Sequence, residues 1–569
     1  MNFLVVSPIL IPILTAMLCM TLWGRLRVQR VLSLVGAVAL LACSVTLLVL
    51  VDRNGAAVSQ AGGWAAPFGI SFVADRLSAI MVSLVGLCAV AVIVYAIGSL
   101  DHRRESMGFH ALAHAMLSAC SGAFLAGDMF NVYVWFEVML LSSFVLLTLG
   151  GERGQLEGAI KYVALNLLSS TIFLTALGIL YGIVGSLNMA DIGLRIRSAS
   201  DPSDIAMLTA LSMLFLTSFG VKAAAFPFFF WLPASYHTPP PAISALFAGL
   251  LTKVGAYMLI RVFTVVFTTD QGIVGPTIAV MAALTMLVGV LGALAQKEMR
   301  RILSFMVIGP IGFILMGLGV AITATARADA LAETLGAGVG EVLALRTAAA
   351  LALGGSVFYL LHDIVVKTNL FLIAGVVLKI KGCAEVDKIG GLYRSHPKLA
   401  LLFMIPALSL AGFPILSGFW PKLALVRGGL QAEAFGVVAV ALVASLLTIL
   451  VVLRLWAEVF WKNQPEPVQG DFCAMGFSGA GRPFRKPLMY APIAGLAAVT
   501  LTIGLGAGPI WGLAQRAAND LLHPAPYTYA VLGDEGLERL DALGVPEHPR
   551  TRLTSAPIDA DLHAEGHHP

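Results

Sequence analysis

The chain has 569 residues, of which 58% are hydrophobic and only 12% are charged. Soluble domains carry roughly 25% charged residues, so this chain has too little charge for a wet surface and most of its surface must face lipid. The formal net charge of +4 is small, and the cations are dispersed between apolar runs, which argues against nucleic-acid binding. Six cysteines occur without any C-x-x-C pair, which argues against an iron–sulfur cluster or a zinc site.

Apolar runs long enough to cross a bilayer recur along the chain, since a helix needs about 20 apolar residues to do so. Fourteen candidate spans, numbered in chain order, cover residues 4–23, 31–51, 77–99, 110–126, 130–149, 159–184, 207–236, 243–267, 273–295, 301–322, 349–378, 397–428, 434–461 and 488–508. The first run has no cationic segment or small-residue cleavage site, so we expect a spanning helix and not a signal peptide. The Ala-rich segment 323–347 is predicted to be a loop.

Two of the predicted spans are interrupted. Span 7 contains Gly220-Val-Lys-Ala-Ala-Ala-Phe-Pro227, and span 12 contains Gly412-Phe-Pro-Ile-Leu-Ser-Gly418. Proline interrupts the backbone hydrogen bonds of a helix. In lipid such a break is tolerated only where protein or water bonds the N–H and C=O groups that lose their partners. Because the interruptions lie five spans apart, and five is odd, a second copy would run in the opposite direction across the membrane. The pattern predicts an inverted repeat; two unrelated kinked helices are the alternative.

The predicted fold is an all-α polytopic membrane protein with about 14 transmembrane helices and two inverted five-helix repeats, in which helices 7 and 12 are broken. Its parts are the N-terminal flanking spans 1–3 (residues 1–109), the first repeat of spans 4–8 (110–267), the second repeat of spans 9–13 (273–461), a loop with span 14 (462–510), and a polar C-terminal tail (511–569).

Positive residues are divided unequally between the two sides of the predicted membrane domain. The loops after odd-numbered spans carry most of the Lys and Arg residues, for example Arg103, Arg104 and Arg300. By the positive-inside rule these loops are cytoplasmic. We therefore predict a multi-pass protein of the cell (inner) membrane whose two termini are both external, or periplasmic.

Five charged residues lie either within the apolar spans or beside the breaks in spans 7 and 12. Placing each of them in the membrane costs roughly 2.5–3.5 kcal/mol of free energy on insertion scales. They are Glu137, Lys222, Lys253, Lys367 and Lys422. Because burial disfavours the charged form, a buried lysine can exchange its proton near neutral pH. Lysines spaced across the midplane, with Glu137 as a switchable counter-charge, therefore predict a proton relay. The alternative is a static ion pair that fixes helix packing.

Two histidines are further candidates for the relay. His237 follows span 7 in a Pro-rich turn, and His362 lies on span 11. A helical metal pair would need a second ligand three or four residues after His362, where Val365 and Val366 stand, so metal ligation is not expected. A relay role and a structural role stay open for both histidines. The sequence has no phosphate-binding glycine loop, nucleophile elbow or haem motif, and we predict no cofactor and no metal.

At these positions the chain resembles the antiporter-like subunits shared by respiratory complex I, membrane hydrogenases and the Mrp (multiple resistance and pH) cation/proton antiporters. The matching stretches are Trp135-Phe136-Glu137, Lys222 to Pro227, Leu232-Pro233-Ala234 with His237, Ser244 to Lys253, Lys367 to Gly375, and Gly412 to Lys422. The resemblance covers roughly residues 1–510. It implies that Glu137 pairs with Lys222, that Lys253 is the central relay, and that Lys422 ends the second half-channel.

Within this family the chain is most similar to the D-type subunits of Mrp antiporters. Complex I subunits of the M type carry a glutamate at the position of Lys422, and the L-type and Mrp A-type subunits continue into further spans or a long lateral helix. The N type stays open. Two departures leave details of the second half-channel open: Phe305 stands where a tyrosine is usual, and Asp363 is an additional carboxylate four residues before Lys367.

The resemblance implies an antiporter subunit, and not an enzyme, that moves protons in exchange for Na⁺ or another monovalent cation. Its implied partners are Mrp subunits of the A, B, C, E, F and G types in a hetero-oligomeric membrane complex. One alternative is a proton-pumping subunit of an NADH–quinone oxidoreductase or a membrane hydrogenase complex. Another is a solute carrier, which would need a polar substrate pocket at the midplane instead of a series of lysines.

Overall fold

A computed structural model describes residues 2–199, 201–333, 339–465 and 486–543. In this part of the chain, thirteen helices are long and apolar enough to cross a membrane, and two shorter helices occupy the place of predicted span 12. Keeping the span numbers, the observed bounds are Asn2–Thr21, Leu26–Asn54, Arg76–Ser99, His102–Leu125, Met129–Leu147, Arg153–Val184, Pro202–Ala223, Pro241–Val266, Gln271–Leu294, Met299–Glu333, Val339–Lys381, Pro397–Ala411 with Phe419–Gln431, Phe435–Trp461 and Lys486–Leu505. The polytopic all-helical fold class is confirmed.

Shorter elements connect the spans. A two-stranded antiparallel hairpin, Ala57–Gln60 paired with Ser71–Ala74, joins spans 2 and 3. The other short helices are Met189–Arg197, Trp231–Ser235, Leu392–Ser395, Ala507–Leu522, Ala525–Leu532 and Asp534–Ala542, together with the 3₁₀ turns Ala61–Gly63 and Val386–Lys388. The predicted polar tail is therefore helical as far as Ala542, and its remainder lies outside the described residues.

The prediction of a loop over residues 323–347 is wrong for most of that segment. Span 10 continues to Glu333 and span 11 begins at Val339, so both helices extend into the Ala-rich stretch. Residues 334–338 lie outside the described part of the chain. Alanine has the highest intrinsic helix propensity, so the stretch prolongs the helices although its charged residues end the apolar runs.

Span 8 lies at the centre of the molecule. Its most apolar stretch is 100% buried, compared with 33% for span 2 and for span 6. Two glycines permit this central position. A Cβ at Gly249 would lie 2.3 Å from Thr368 Oγ1 on span 11, and one at Gly255 would lie 2.5 Å from the backbone nitrogen of Ala223 at the end of span 7. Spans 7 and 11 therefore pack closely on span 8.

The interruption of span 7 lies where the sequence predicts it. The helix ends at Ala223, and Ala224 adopts a left-handed conformation with φ of 58°. Trp231 Nε1 then donates a hydrogen bond of 2.9 Å to the carbonyl of Val221, and the backbone N–H of Phe226 donates one of 2.9 Å to Thr285 Oγ1. Protein side chains thus satisfy backbone groups that the break releases, as a break at membrane depth requires.

Span 12 is interrupted between Ala411 and Phe419. Gly412 ends its first half in the left-handed region with φ of 87°, a conformation that glycine adopts at little cost. Ser409 Oγ accepts a hydrogen bond of 3.2 Å from the backbone N–H of Gly418, which joins the two sides of the break. Both interruptions are present, and the inverted repeat that would relate them stays a prediction.

A buried ion pair ties span 8 to the start of span 3. Arg261 donates two hydrogen bonds, of 2.6 and 2.7 Å, to the carboxylate oxygens of Asp75, and the side chains are only 3% and 6% exposed. Asp75 also caps span 3 by accepting from the backbone N–H of Ser78. The guanidinium of Arg261 lies 5.2 Å from the centre of the Tyr527 ring, so the helix Ala525–Leu532, after span 14, packs against the ion pair.

We predict that Arg261→Met destabilises the protein by about 3–5 kcal/mol, because it leaves the Asp75 carboxylate buried without its partner. The measurement is the thermal unfolding temperature of the purified protein in detergent. Arg516→Met is the matched control, since Arg516 forms its ion pair with Asp52 while 47% exposed. Such an exposed pair contributes about 0–1 kcal/mol. Equal shifts for the two variants would contradict the structural role of the buried pair.

Candidate functional site

Lys222 lies in the last turn of the first half of span 7 and is 3% exposed. Its Nζ donates a hydrogen bond of 3.1 Å to Ser170 Oγ on span 6. The same Nζ lies 4.7 Å from the centre of the Phe136 ring, an arrangement in which the ring attracts the cation. The break of span 7 thus places an ammonium group between a hydroxyl and an aromatic face.

Glu137 does not contact Lys222 directly. The carboxylate is half-buried on span 5, and its Oε1 has no hydrogen-bond partner. Among the described residues no ion pair within 4 Å joins the two side chains, although they are near enough to interact electrostatically. The direct pair that the resemblance implies is absent from this arrangement, in which Ser170 instead accepts from Lys222.

Lys253 lies at the centre of the site and is fully buried on span 8. Its Nζ is 2.7 Å from Asp363 Oδ2 on span 11, and neither side chain is exposed. The same Nζ donates a hydrogen bond of 2.8 Å to the carbonyl of Ala248. Ala248 belongs to a π-helical turn, Phe247–Leu251, and such turns are frequent at functional sites.

Lys367 follows Asp363 by one turn of span 11 and is fully buried. Its Nζ has no hydrogen-bond partner in the structure. Asp363 attracts it electrostatically, while Lys253 and Lys422 repel it. Lys367 is therefore the site lysine in the described part of the chain that no acceptor holds.

Lys422 lies just beyond the break of span 12. Its Nζ donates hydrogen bonds of 3.1 and 3.2 Å to the carbonyls of Leu410 and Ala411, the last residues of the preceding half-helix. It also lies 5.0 Å from the centre of the Phe313 ring. The end of a helix exposes unpaired carbonyls and carries a partial negative charge, so the break supplies a site for a cation.

His362 faces the same break from span 11. Its Nδ1 is 2.8 Å from Ser417 Oγ, which is 2.7 Å from Ser409 Oγ. The other ring nitrogen, Nε2, is buried without a partner. The structure therefore places His362 in a short hydrogen-bonded series beside Lys422, and its relay role stays a prediction.

His237 lies apart from this group, in the turn between spans 7 and 8. Its Nδ1 donates to the carbonyl of Pro233 at 2.7 Å, which leaves Nε2 at 4.0 Å from Glu298 Oε2. Burial, assisted by the nearby Arg300 guanidinium, lowers the pKa of His237 to about 4. Burial also raises the pKa of the Glu298 carboxyl above its ordinary value. His237 is therefore a neutral imidazole at neutral pH.

Sequence reasoning identifies the lysines but not most of their partners. In the sequence Asp363 is only a departure from the family pattern, and its pairing with Lys253 across two spans leaves no signal in the spacing along the chain. Ser170 and Glu298 give no signal beyond being polar. The role of the Ala248 carbonyl as an acceptor for Lys253 cannot be predicted from the sequence, because every residue type has a backbone carbonyl.

A family profile described as NADH:quinone oxidoreductase/Mrp antiporter, transmembrane, matches residues 126–335 and 337–448. Every lysine of the site falls within these matched ranges, as do Glu137, His237 and His362. The chain belongs to this family. The resemblance stated from the sequence is thereby confirmed.

Relatives within the family are similar over nearly the whole chain. The D subunit of the Na⁺/H⁺ antiporter from Alkalihalophilus pseudofirmus is 37% identical over 532 residues, which cover 94% of this chain and 100% of that protein. The protein of the same name from Bacillus subtilis is 35% identical with the same coverage.

Solved structures of the family share the fold. A chain of the Mrp complex from Dietzia superposes with a TM-score of 0.79 at 28% identity, covering 94% of this chain and 100% of that one. A chain of respiratory complex I from Thermus thermophilus superposes with a TM-score of 0.71 at 22% identity, covering 91% and 99%. Because only 22% of residues are identical, the similarity to the complex I chain concerns the fold alone.

We predict that His237→Gln reduces the loss of stability between pH 7 and pH 5. The folded-state pKa of about 4 lies below the ordinary value of 6.5, so as pH falls the unfolded chain binds a proton before the folded one does. This difference lowers the stability between about pH 6.5 and pH 4, and a glutamine, which does not titrate there, removes it.

The measurement is the unfolding temperature of both proteins in detergent at the two pH values. His102→Gln is the control, because His102 is an exposed histidine at the start of span 4. If His237→Gln and the wild-type protein lose the same number of degrees on acidification, His237 does not titrate as its surroundings indicate.

Proposed function

We propose that the chain is the proton-translocating subunit of a multisubunit Na⁺ (monovalent cation)/H⁺ antiporter. The observation that carries this proposal is the set of buried lysines on spans 7, 8, 11 and 12, namely Lys222, Lys253, Lys367 and Lys422. Four amines enclosed by apolar helices are costly to bury, and they can hold and release protons. The relatives named as D subunits of Na⁺/H⁺ antiporters support the same function.

The surroundings of three of the four lysines suit proton transfer. Lys222 donates to a hydroxyl, Lys253 donates to a carbonyl and forms an ion pair with a carboxylate, and Lys422 donates to the carbonyls of a broken helix. His362 with its two serines adds a hydrogen-bonded series near Lys422. In the proposed mechanism Glu137 is the counter-charge for the first half-channel, His237 lies at its cytoplasmic side, and Lys253 joins the two halves.

Lysine side chains repel a metal cation but pass a proton. We therefore propose that this chain supplies the proton half of the exchange and relies on partner subunits of the A, B, C, E, F and G types for the rest. The complex would lie in the cell membrane with both termini of this chain external. Within the chain, residues 110–267 and 273–461 would form the inverted repeats that contribute one half-channel each.

A proton-pumping subunit of a redox complex is the second candidate. The family description covers both NADH:quinone oxidoreductases and Mrp antiporters, and the complex I chain shares the fold at 22% identity. The antiporter function is favoured because similarity to the D subunits of Na⁺/H⁺ antiporters reaches 37% identity over almost the whole chain.

We predict that Lys253→Arg blocks proton passage as fully as Lys253→Ala does. Arginine keeps the positive charge but stays protonated at any accessible pH, so it cannot release the proton that a relay must pass on. The measurement is the dissipation of a proton gradient on addition of sodium, in vesicles that contain the assembled complex.

Lys161→Arg is the matched control, because Lys161 is an exposed lysine paired with Glu157 on the surface of span 6. It should leave exchange at the wild-type rate. Unimpaired exchange by Lys253→Arg would exclude a titrating role for Lys253, and robust exchange by this chain alone would exclude its dependence on partner subunits.

The proposed orientation predicts the result of reporter fusions. A reporter fused after Arg104 or after Lys381 should be cytoplasmic, because these cations lie on the side that the positive-inside rule assigns to the cytoplasm. A reporter at the C-terminus should be external. A cytoplasmic C-terminus would overturn the orientation and the assignment of the half-channels that depends on it.

A further inference from the structure

Asp363 occupies a position between two of the buried lysines. Its side chain is fully buried in the middle of span 11, with Oδ2 at 2.7 Å from Lys253 Nζ on span 8. Lys367 lies four residues further along span 11, on the same face of the helix as Asp363. One carboxylate therefore contacts the amine of Lys253 and attracts that of Lys367 electrostatically, although the two amines belong to different spans.

The two amines differ in how they are held. Lys253 Nζ contacts Asp363 and donates to the carbonyl of Ala248, whereas Lys367 Nζ has no hydrogen-bond partner. A buried ammonium without a partner costs far more than a neutral amine. In this arrangement the proton belongs to Lys253, and Lys367 is the amine able to receive one.

We propose that Asp363 carries a proton between Lys253 and Lys367, an inference that rests on the relay proposed above. In the first step an N–H bond of the Lys253 ammonium breaks and an O–H bond forms on Asp363, which leaves a neutral amine and a neutral carboxylic acid. The acid then turns toward Lys367. In the second step the O–H bond breaks and an N–H bond forms on Lys367, which restores the carboxylate beside a new ammonium.

Charge balance supports this sequence of steps. The three groups together have a net charge of zero before the first transfer, between the transfers and after the second. A direct passage between the lysines ends in the same state, but the carboxylate stays ionised while the proton moves away from it. In a dry interior, separating unlike charges is expensive, so a carrier whose intermediate contains no ionised group lowers the barrier.

The remaining titratable neighbours do not offer the same route. Tyr359, one turn before Asp363, interacts with the carboxylate, and Cys88 on span 3 interacts with Lys253. Cys88 lies 3.4 Å from Thr368 Oγ1, which donates in turn to the carbonyl of Ile364. His362 and Lys422 interact electrostatically with Lys367. Among the described residues, Asp363 is the carboxylate that both contacts Lys253 and attracts Lys367 electrostatically.

The test compares Asp363→Asn and Asp363→Glu in the assembled complex, with sodium-driven proton movement measured in vesicles. Asparagine cannot carry a proton, and we expect at least a tenfold loss of exchange. Glutamate keeps a carboxyl group, so exchange should persist with a displaced pH profile. Asp329→Asn is the control: it neutralises an exposed carboxylate near the end of span 10 that pairs with Arg346, and exchange should be unchanged.

A second measurement separates a carrier from a static ion pair. Infrared difference spectra recorded across a pH step should contain the C=O stretch of a protonated carboxylic acid, and Asp363→Asn should remove that band while the amount of assembled complex is unchanged. If Asp363→Asn does not assemble, Asp363→Glu provides the test, since its acid band should be present and shifted. A spectrum without an acid band assignable to residue 363 in either protein would overturn the proposal.

Lys253→Ala distinguishes failure of this inference from failure of the proposed function. If Lys253→Ala is inactive while Asp363→Asn exchanges like the wild-type complex, the relay stands and the carrier is wrong. If both variants exchange normally, the relay through Lys253 is itself wrong.

Discussion

An ammonium group enclosed by apolar helices must find its acceptors in the protein, and the rest of this structure depends on that constraint. A regular helix offers few, because its carbonyls are already bonded within the helix. The backbone departs from regular helix next to two of the lysines, and carbonyls there are free to accept hydrogen bonds from them. The end of the first half of span 12 faces Lys422, and a π-helical turn in span 8 presents the carbonyl of Ala248 to Lys253.

The same constraint explains why the centre of the molecule is so tightly packed. Span 8 can remain without lipid contact because glycines bring it against spans 7 and 11. This packing excludes water from Lys253 and Asp363, which strengthens their attraction and makes the loss of either partner costly. The outer spans, by contrast, carry large exposed apolar side chains such as Leu141 and Leu446.

Much of the fold could be predicted because bilayer thickness and helix geometry act directly on sequence. The apolar runs indicated the spans, and Pro227 and Pro414 indicated the two breaks. The prediction for residues 323–347 was wrong because the loss of hydrophobicity there marks the end of an apolar run without ending the helix. The lysines of the site were visible as charges in apolar runs. Their contacts were not, because the approach of Asp363 to Lys253 depends on packing between spans 8 and 11.

The helices after span 14 bind to parts of the chain made much earlier. Arg516 and Asp520 form ion pairs with Asp52 and Arg76, which precede them by 464 and 444 residues. Arg539 likewise pairs with Asp191. During biosynthesis the early spans therefore enter the membrane with only their nearer ion pairs, Asp52 with Arg76 and Asp191 with Arg195, until the helices after span 14 are made. A chain released before these helices are made would lack the contacts that join Asp52, Arg76 and Asp191 to the region after span 14.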